Sequence, residues 1–533
     1  MIRRHGYLLL TVFFGGLVTL GVELSASRLL DPFFGNSLII WANLIGLVLL
    51  YLTAGYYLGG RWADQDPRES TLFQITAWAS FAIGLIPFIA APILRWSVQG
   101  FASFSAGILV GSFLGVLVLF SVPITLMGTV SPFAIRLALE DVEHGGNVAG
   151  SVYALSTLGS ILGTFLPVLV LIPNIGTRRT FLLLAITMLL VSLGGLLRVS
   201  RQRALAYSGL LAILLALAFF GSAGPIKASQ GMIYETESRY NYIQVVKSGD
   251  DYFLHLNEGQ GIHSIYNPNQ TLVYGIWDYF LLAPYFNQTP FTEGEVDNLL
   301  LIGSAAGTIP KQYTAVYGPI PIDGVEIDPS IIQAGRDFFA MTEPNLNTVA
   351  EDGRYYLSRV SKTYDVIGVD AYRPPYIPFQ LTTAEFFQEI FDHLTAEGVV
   401  ALNAGRTDTD YSLVVALGST MKAVFPNVYV IDAPDYGGSL GNSLIVATRQ
   451  PTSLDDFQAN LALLEHPLLR DVAGRALNSR IWEITCRGEA HFVAGVGPLP
   501  QTLPDSCIPP FSDDKAPVEQ VVHGIILRYV TGQ

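Results

Sequence analysis

Seven apolar runs crowd the first 224 residues, at about residues 7–30, 38–60, 71–94, 104–135, 148–173, 180–197 and 204–222. Each is long enough for a helix to cross the roughly 30 Å hydrocarbon core of a bilayer. A soluble fold cannot hide that much apolar side chain, so this part is expected to be a multi-pass α-helical membrane domain with the lipid bilayer as its partner. The first run is too long for a cleaved leader, and further spans follow it. Pro123 and Pro132 interrupt the fourth run, which reads as a broken helix or a hairpin.

Charge marks where this region ends. Met1 to Gly224 holds 12 Arg, no Lys and 8 acids, a net of +4, whereas the remainder holds 18 basic residues and 36 acids, a net of −18. The expected domains are a membrane domain at 1–224, a β-rich lead with a first helix at 225–290, a nucleoside-binding α/β domain at 291–450 and a C-terminal extension at 451–533. So acidic a second half excludes nucleic acid as its partner, because nothing would neutralise phosphates. It fits cationic substrates, and also mere solubility.

Arginines favour the cytoplasmic side. With seven spans, Arg3, Arg4, Arg61, Arg68, Arg136, Arg198, Arg201 and Arg203 share the N-terminal side, opposed by Arg95, Arg178 and Arg179. That count places the N-terminus inside and the second half outside, in a multi-pass protein of the cell membrane. A hairpin in the fourth run returns the second half to the cytoplasm, so the side stays open. Glu23 and Arg28, spaced i, i+5 on the first helix, read either as a functional intramembrane acid with its counter-charge or as a structural pair near the interface.

From Met232 the period changes. "YNYIQVVKSGDDYFLHLNEGQGIHSI" alternates around "SGDD", a β-hairpin signature. A helical stretch at about Leu272 to Pro284 follows, then short apolar runs at Leu299–Ile302, Ile320–Val325, Asp365–Val369 and Val399–Asn403, with helical segments such as Pro329–Phe339 and Thr383–Leu394 between them. This alternation predicts a mostly parallel, Rossmann-like sheet, in which ligands bind beyond the carboxyl ends of the strands. The residues there form a set. "IGSAAGT" contributes Gly303, Ser304 and Gly307, small residues that let a ligand approach the backbone. "VEID" contributes Glu326, placed for ribose hydroxyls, and Asp328. "AEDG" contributes Asp352 and Gly353, and "VIGVD" ends on Asp370. Helix caps and turn acids are the plainer reading of the same carboxylates.

In this order, "YNYIQV", "LNEGQ", "LLLIGSAAGT", "GVEIDPSII", "EDGRYYL", "YDVIGVD", "TAEFF", "FPNVYV" and "SDDKAPVE" resemble the spermidine synthases, the polyamine aminopropyltransferases. The whole chain is similar to their membrane-fused bacterial relatives. The resemblance implies a methyltransferase-type α/β domain with a β-hairpin lead, no tightly bound cofactor, and decarboxylated S-adenosylmethionine as donor substrate. It implies that Asp370 takes the proton of an attacking amine, that Glu326 binds the ribose, Asp352 the adenine and Gln260 the donor, and that Asp278, Tyr372 and Arg373 lie in the substrate site. It further implies pairing of the domain into dimers or tetramers.

Departures from the family pattern bear on substrate. Ala305 and Ala306 stand where its Gly-Gly-Gly-Asp-Gly turn carries an acid, which weakens selection against the carboxylate of intact S-adenosylmethionine. The family's Tyr-His-Glu is matched by Ile276, Trp277 and Asp278, and the second acid of its D-x-x-D-P motif by Arg373 in "DAYRPP". Two further readings therefore stand beside aminopropyl transfer: different chemistry on S-adenosylmethionine or another nucleoside, and a non-catalytic binding module of a membrane system. The latter draws on "GGRWAD", which looks like a tight loop of major-facilitator transporters. Cys486 and Cys507 fit a disulfide or two separate thiols. His255 and His263 lack partners in metal-ligand order, and no metal site is expected.

Overall fold

The computed structural model describes residues 2–35, 37–101, 107–139, 145–221, 226–257, 261–372, 377–433, 440–485, 491–494 and 508–531. Gln260, Arg373, Cys486 and Cys507 lie outside them. Packing divides the chain into two units, Met1–Ser229 with Glu235–Tyr242, and Gln230–Tyr234 with Ile243–Gln533.

Unit 1 is built of α1 (Ile2–Phe34), α2 (Leu38–Gln65), α3 (Glu69–Phe101), α4 (Gly107–Gly128), α5 (Val130–Ala138), α6 (Gly145–Leu166), α7 (Ile172–Val199) and α8 (Arg201–Phe220). Among the described residues, six helical stretches are long and apolar enough to cross a membrane: His5–Phe34, Ile40–Gln65, Glu69–Ser97, Val110–Ala138, Gly145–Val199 and Arg201–Phe220. The fourth is the interrupted run. Thr129, between α4 and α5, keeps helical angles (φ −69°, ψ −17°), so the helical path runs on through the interruption. The fifth spans 55 residues, α6 and α7 joined through a π-helical turn at Pro167–Leu171. It breaks at Gly176, whose φ of 79° and ψ of 165° no other residue type adopts cheaply.

Helices this apolar associate through close backbone approach at small residues. Small residues spaced i, i+4 provide it twice. A Cβ on Gly159 or Gly163 of α6 would lie 1.9 Å from the Phe13 carbonyl oxygen or 2.1 Å from that of Leu17, both on α1. A Cβ on Gly55 or Gly59 of α2 would lie 2.3 Å from the Thr125 oxygen or 2.7 Å from Thr129 Cα. Gly59 of "GGRWAD" therefore serves packing, whereas Gly60 has open space around it. That segment is not a loop: α2 runs on to Gln65, and Asp66 closes it by donating its N–H to the Trp62 carbonyl.

Arg28 does not pair with Glu23. Its guanidinium reaches Asp31 at 3.3 Å and donates to the carbonyls of Ser238 and Tyr240 at 3.1 and 2.9 Å. One residue before that turn, Glu237 accepts from the N–H and hydroxyl of Thr177 at 2.8 and 2.6 Å. It thereby caps the helix that restarts after Gly176.

A meander follows of β1 (Met232–Glu237), β2 (Tyr242–Ser248), β3 (Asp251–Leu256) and β4 (Ile262–Tyr266), of which Glu235–Tyr242 counts with unit 1 and the rest with unit 2. The β2–β3 hairpin turns at Gly249-Asp250, with Ser248 opposite Asp251 and Gly249 at φ +62°. Then come α9 (Ile276–Tyr279), β5 (Leu299–Ile302), α10 (Thr308–Tyr317), β6 (Ile322–Val325), α11 (Pro329–Phe338), β7 (Leu346–Val349), α12 (Gly353–Arg359) and β8 (Tyr364–Val369). They are followed by α13 (Ala384–Asp392), β9 (Leu394–Thr407), α14 (Ser412–Lys422), β10 (Asn427–Asp432) and β11 (Leu440–Thr448). The C-terminal part adds α15 (Leu454–Leu463), α16 (Pro467–Leu477), β12 (Ile481–Glu483), β13 (His491–Ala494) and α17 (Val518–Thr531).

The nine-stranded sheet runs β13-β12-β10-β11-β9-β8-β5-β6-β7. From β9 to β7 every pairing is parallel, whereas β11 lies antiparallel between β9 and β10. This is a Rossmann-like, methyltransferase-type order, and its direction reverses between β5 and β8, where α/β sheets hold their ligands. One core layer packs Leu300, Ile302, Ile367, Val369 and Val400 against α12, α13 and α14. The other packs Leu299, Leu301, Val366 and Val399 under Phe280, Phe286 and Phe457.

The glycine contacts generate a paired expectation. Gly163→Ala should destabilise the detergent-solubilised chain by about 2 kcal/mol through overpacking. Gly150→Ala, on the same helix with open space for 4 Å around the place a Cβ would take, should shift stability by less than about 1 kcal/mol. Thermal unfolding of the two variants checks this, and equal losses would contradict it.

Candidate active site at the strand ends

The turn after β5 is shaped by two left-handed glycines and a left-handed alanine: Gly303 at φ +86°, Ala305 at +45° and Gly307 at +90°. Gly303 meets backbone directly. A Cβ there would sit 2.6 Å from the Asp370 carbonyl carbon and oxygen. All five amides of the turn are used inside the protein. Gly303 and Ser304 donate to the Val325 carbonyl at 2.8 and 3.1 Å, Ala305 to Glu326 Oε2 at 3.1 Å, Ala306 to Ser264 Oγ at 3.0 Å, and Gly307 to the Ser304 carbonyl at 3.0 Å. The turn thus presents small side chains and Cα surface in place of free N–H groups. Ser304 Oγ lies beneath it, 3.2 Å from where a Gly324 Cβ would be, and is without a hydrogen-bond partner among the described residues.

Four of the proposed ligand-facing residues line the β6 and β7 ends. Glu326 is buried, and its oxygens accept from Ala305 N and from Asp328 N at 3.1 Å each. Burial pushes its carboxyl up to about 7, with the Asp328 and Ala305 N–H groups acting against it. The Ile327 N–H bears on it too, which leaves one of its four lone-pair positions for another donor. Asp328 is the buried N-cap of α11, accepting from Ser330 N at 3.0 Å. Asp352 is the N-cap of α12 through Oδ1, which accepts from Arg354 N and Tyr355 N at 2.9 and 3.0 Å, while Oδ2 stands 3.4 Å from Gln380 Nε2. Gly353 lets α12 close on the sheet, because a Cβ there would lie 2.2 Å from Ile302 Cγ2.

Asp370 occupies the other side. Its N–H donates to the Ile302 carbonyl at 2.8 Å, fixing the end of β8 against β5. Oδ1 accepts from Asn403 Nδ2 at 2.8 Å and Oδ2 from Trp277 Nε1 at 2.9 Å. Asn403 is oriented by Asn442, whose Nδ2 donates to its Oδ1 at 2.8 Å. The residue keeps some exposure to the crevice, yet its surroundings push the carboxyl up to about 7: burial dominates, and the two neutral donors oppose it. Tyr372 accepts from Gly405 N at 2.6 Å, tying the ends of β8 and β9, and burial pushes its phenol up.

Asp278 differs. It is fully buried behind the site, and its carboxylate accepts from Val273 N, Tyr274 N, Gln312 Nε2 and Arg475 Nη2 at 3.0, 2.9, 2.7 and 2.7 Å. With four donors around it, nothing is left for a ligand. Among the described residues no cluster of His, Cys, Asp and Glu is arranged to hold a metal ion.

The family model of the spermine/spermidine synthase domain matches residues 291–456. A polyamine aminopropyltransferase of Vibrio vulnificus is 30% identical over 237 residues, which cover 43% of this chain and 75% of that enzyme. The chain belongs to the spermine/spermidine synthase family.

A probable polyamine aminopropyl transferase of Bifidobacterium longum is 30% identical over 295 residues, 54% of this chain and 61% of its own length, so this chain spans under two thirds of that relative. A probable spermidine synthase of Corynebacterium glutamicum, solved by crystallography, superposes with a TM-score of 0.38 at 19% identity, covering 47% of this chain and 95% of that one. For this member of the spermine/spermidine synthase family, sequence reading misses Trp277, Asn403, Asn442 and Arg475. Trp277 reads there only as a lost histidine. Its position two residues from a buried helix start, and Asn403 at the end of an apolar run, are the signals available.

Asp370 should cost stability when ionised. Its folded carboxyl is raised from the ordinary 3.8 to about 7, so the folded state holds the proton more tightly than the unfolded state. This group's contribution to stability is therefore greatest below about pH 4 and is lost as pH rises through about 7, by at most about 4 kcal/mol, less where the crevice admits water. Asp370→Asn, accommodated by flips of Asn403 and Asn442, should remove this dependence. Thermal unfolding of the full chain between pH 4 and 8 should show wild type gaining on the variant as pH falls, and parallel curves would contradict it.

Proposed function

We propose that unit 2 transfers an aminopropyl group from decarboxylated S-adenosylmethionine to an amine, with Asp370 as the base. The nitrogen lone pair of the acceptor attacks the methylene carbon beside the sulfonium. A C–N bond forms, the C–S bond breaks, and the electron pair leaves on sulfur as neutral methylthioadenosine. The ammonium proton goes to Asp370 Oδ1 or Oδ2. The observation that carries this reading is the carboxyl of Asp370 at the switch point, held by neutral N–H donors and raised to about 7, where a base is both ionised and able to accept a proton at neutral pH.

The other side of the crevice supports a nucleoside as donor. Glu326 keeps a lone pair for a ribose hydroxyl, and Asp352 Oδ2, outside the helix cap, has only the 3.4 Å contact from Gln380 Nε2. Ile327, beside Glu326, is 39% exposed and offers an apolar face for a base. Gln260 and Arg373 belong to this reading through the family pattern.

Intact S-adenosylmethionine is a second reading, favoured by the turn. Ala306 is 1% exposed and packs with Ile243, Val245, Leu254 and Ile331, so no carboxylate stands there to repel the intact donor's own. Incubation of the purified full chain with each sulfonium compound and a panel of amines separates the two. Methylthioadenosine should form from the decarboxylated donor, and Asp370→Asn should lose about 100-fold or more in kcat. The rate should climb to a plateau as pH rises through about 7, because Asp370 must be ionised. Absence of product with every amine, or an Asp370→Asn variant as active as wild type, would overturn the proposal. Ala305→Asp, at a left-handed position that Asp tolerates, should raise the preference for the decarboxylated donor about tenfold in calorimetric titration.

A further inference from the structure

The segment "PLLRDVAGRAL" places Leu469, Val472, Ala473 and Ala476 on one buried stripe of α16, at the i, i+3, i+4, i+7 spacing of a core-facing helix. Arg475 sits at the edge of that stripe in the last turn, where a cation suits the helix dipole. Its side chain is 17% exposed and its only hydrogen-bonded acid among the described residues is Asp278, at 2.7 Å; Asp471 lies 3.3 Å from its Nε. The guanidinium also lies 4.9 Å over the Tyr274 ring and 5.8 Å from that of Tyr279.

Asp278 in turn holds the loop before α9. It accepts from the N–H groups of Val273 and Tyr274, and Tyr274 has φ +59°, a left-handed conformation that costs an ordinary residue about 1–2 kcal/mol. Gly275 follows, with the Trp277 ring 2.9 Å from where its Cβ would be. The indole that this loop sets in place is the one that donates to Asp370 Oδ2.

We propose that Arg475, from the C-terminal extension, is a positioning residue for the base. By keeping Asp278 ionised it fixes the Val273–Gly275 loop, and through it the Trp277 indole, against the Asp370 carboxylate. The inference rests on the reading of Asp370 as the base. Burial alone pushes the Asp278 carboxyl up, and Arg475 is the cation that acts against this. A protonated Asp278 would turn an acceptor oxygen into a donor facing donors, and the loop would lose a tether. Stability alone does not call for such a pair, since buried ion pairs exchange for apolar residues at little cost.

The test compares Arg475→Met, Arg475→Lys, Trp277→Phe and Arg475→Met with Trp277→Phe in the full chain. The groups facing Asp370 are Trp277, Asn403 and the Tyr372 phenol; those facing Arg475 are Asp278, Asp471, Tyr274 and Tyr279. Loss of the indole donor raises the Asp370 carboxyl further. Arg475→Met should therefore lower kcat about 10- to 100-fold, leave KM for the donor within about twofold, and move the acidic limb of the rate profile upward as far as Trp277→Phe does. The double variant should move it no further, and Arg475→Lys should restore part of the rate. An unmoved limb, or additive shifts in the double variant, would overturn the proposal. If Arg475→Met does not fold, Asp278→Asn is expected to give the same shift. If no amine is a substrate, the pH-dependent infrared band of the Asp370 carboxyl, identified by its loss in Asp370→Asn, carries the same comparison, so failure of the base reading and failure of the positioning role remain distinct.

Discussion

The contact between the end of β5 and the end of β8 governs the site. Asp370 donates its N–H to the Ile302 carbonyl, and Gly303 meets the Asp370 carbonyl so closely that a Cβ would fall 2.6 Å away. Two parallel strands that approach this tightly at their carboxyl ends leave no side chain between them, and the crevice forms where their crossovers part to opposite directions. Everything around it follows from that closure. The turn bends back through left-handed angles, Glu326 is drawn onto the Ala305 amide, and Gly353 brings α12 down onto Ile302.

Several carboxylates of unit 2 differ in the company they keep. Asp278 has Arg475, Asp323 has Lys362 at 2.8 Å, and Asp432 has Arg406 at 3.6 Å and Arg480 at 4.0 Å. Asp370 and Glu326 receive only neutral N–H groups. Dipoles offset less of the desolvation than a cation does, which leaves both carboxyls near 7. These two are also the acids on either side of the crevice. In the proposed site the two carboxylates that would face ligand have only N–H donors, whereas Asp278, Asp323 and Asp432 have cations beside them.

Much of this was legible in the sequence because it is local. Apolar runs announce helices, the change of period at Met232 announces the hairpin, and strand, small-residue turn and terminal acid recur in an order that reveals the α/β fold and places Glu326, Asp352 and Asp370. What was not legible depends on distance along the chain. Trp277 meets Asp370 across 93 positions and Arg475 meets Asp278 across 197, and no spacing rule links them. Asp278 reads as a ligand group because acidity is visible in a sequence and its four donors are not. The glycines of "GGRWAD" mislead for the opposite reason: glycine has two uses, bending a chain and letting backbones touch, and only the position of α4 and α5 reveals that Gly59 is for touching.

Glu237 carries a consequence for how the chain is made and cut. The first amide of the helix that restarts after Gly176, that of Thr177, is accepted by a carboxylate 60 positions downstream. In chain order that carboxylate follows both α7 and α8, so vectorial synthesis delivers it after both helices. A chain severed at Gly224, just past the last apolar helix, would thus retain every hydrophobic segment of unit 1 and still lack its final tether, together with the two carbonyls that Arg28 grips.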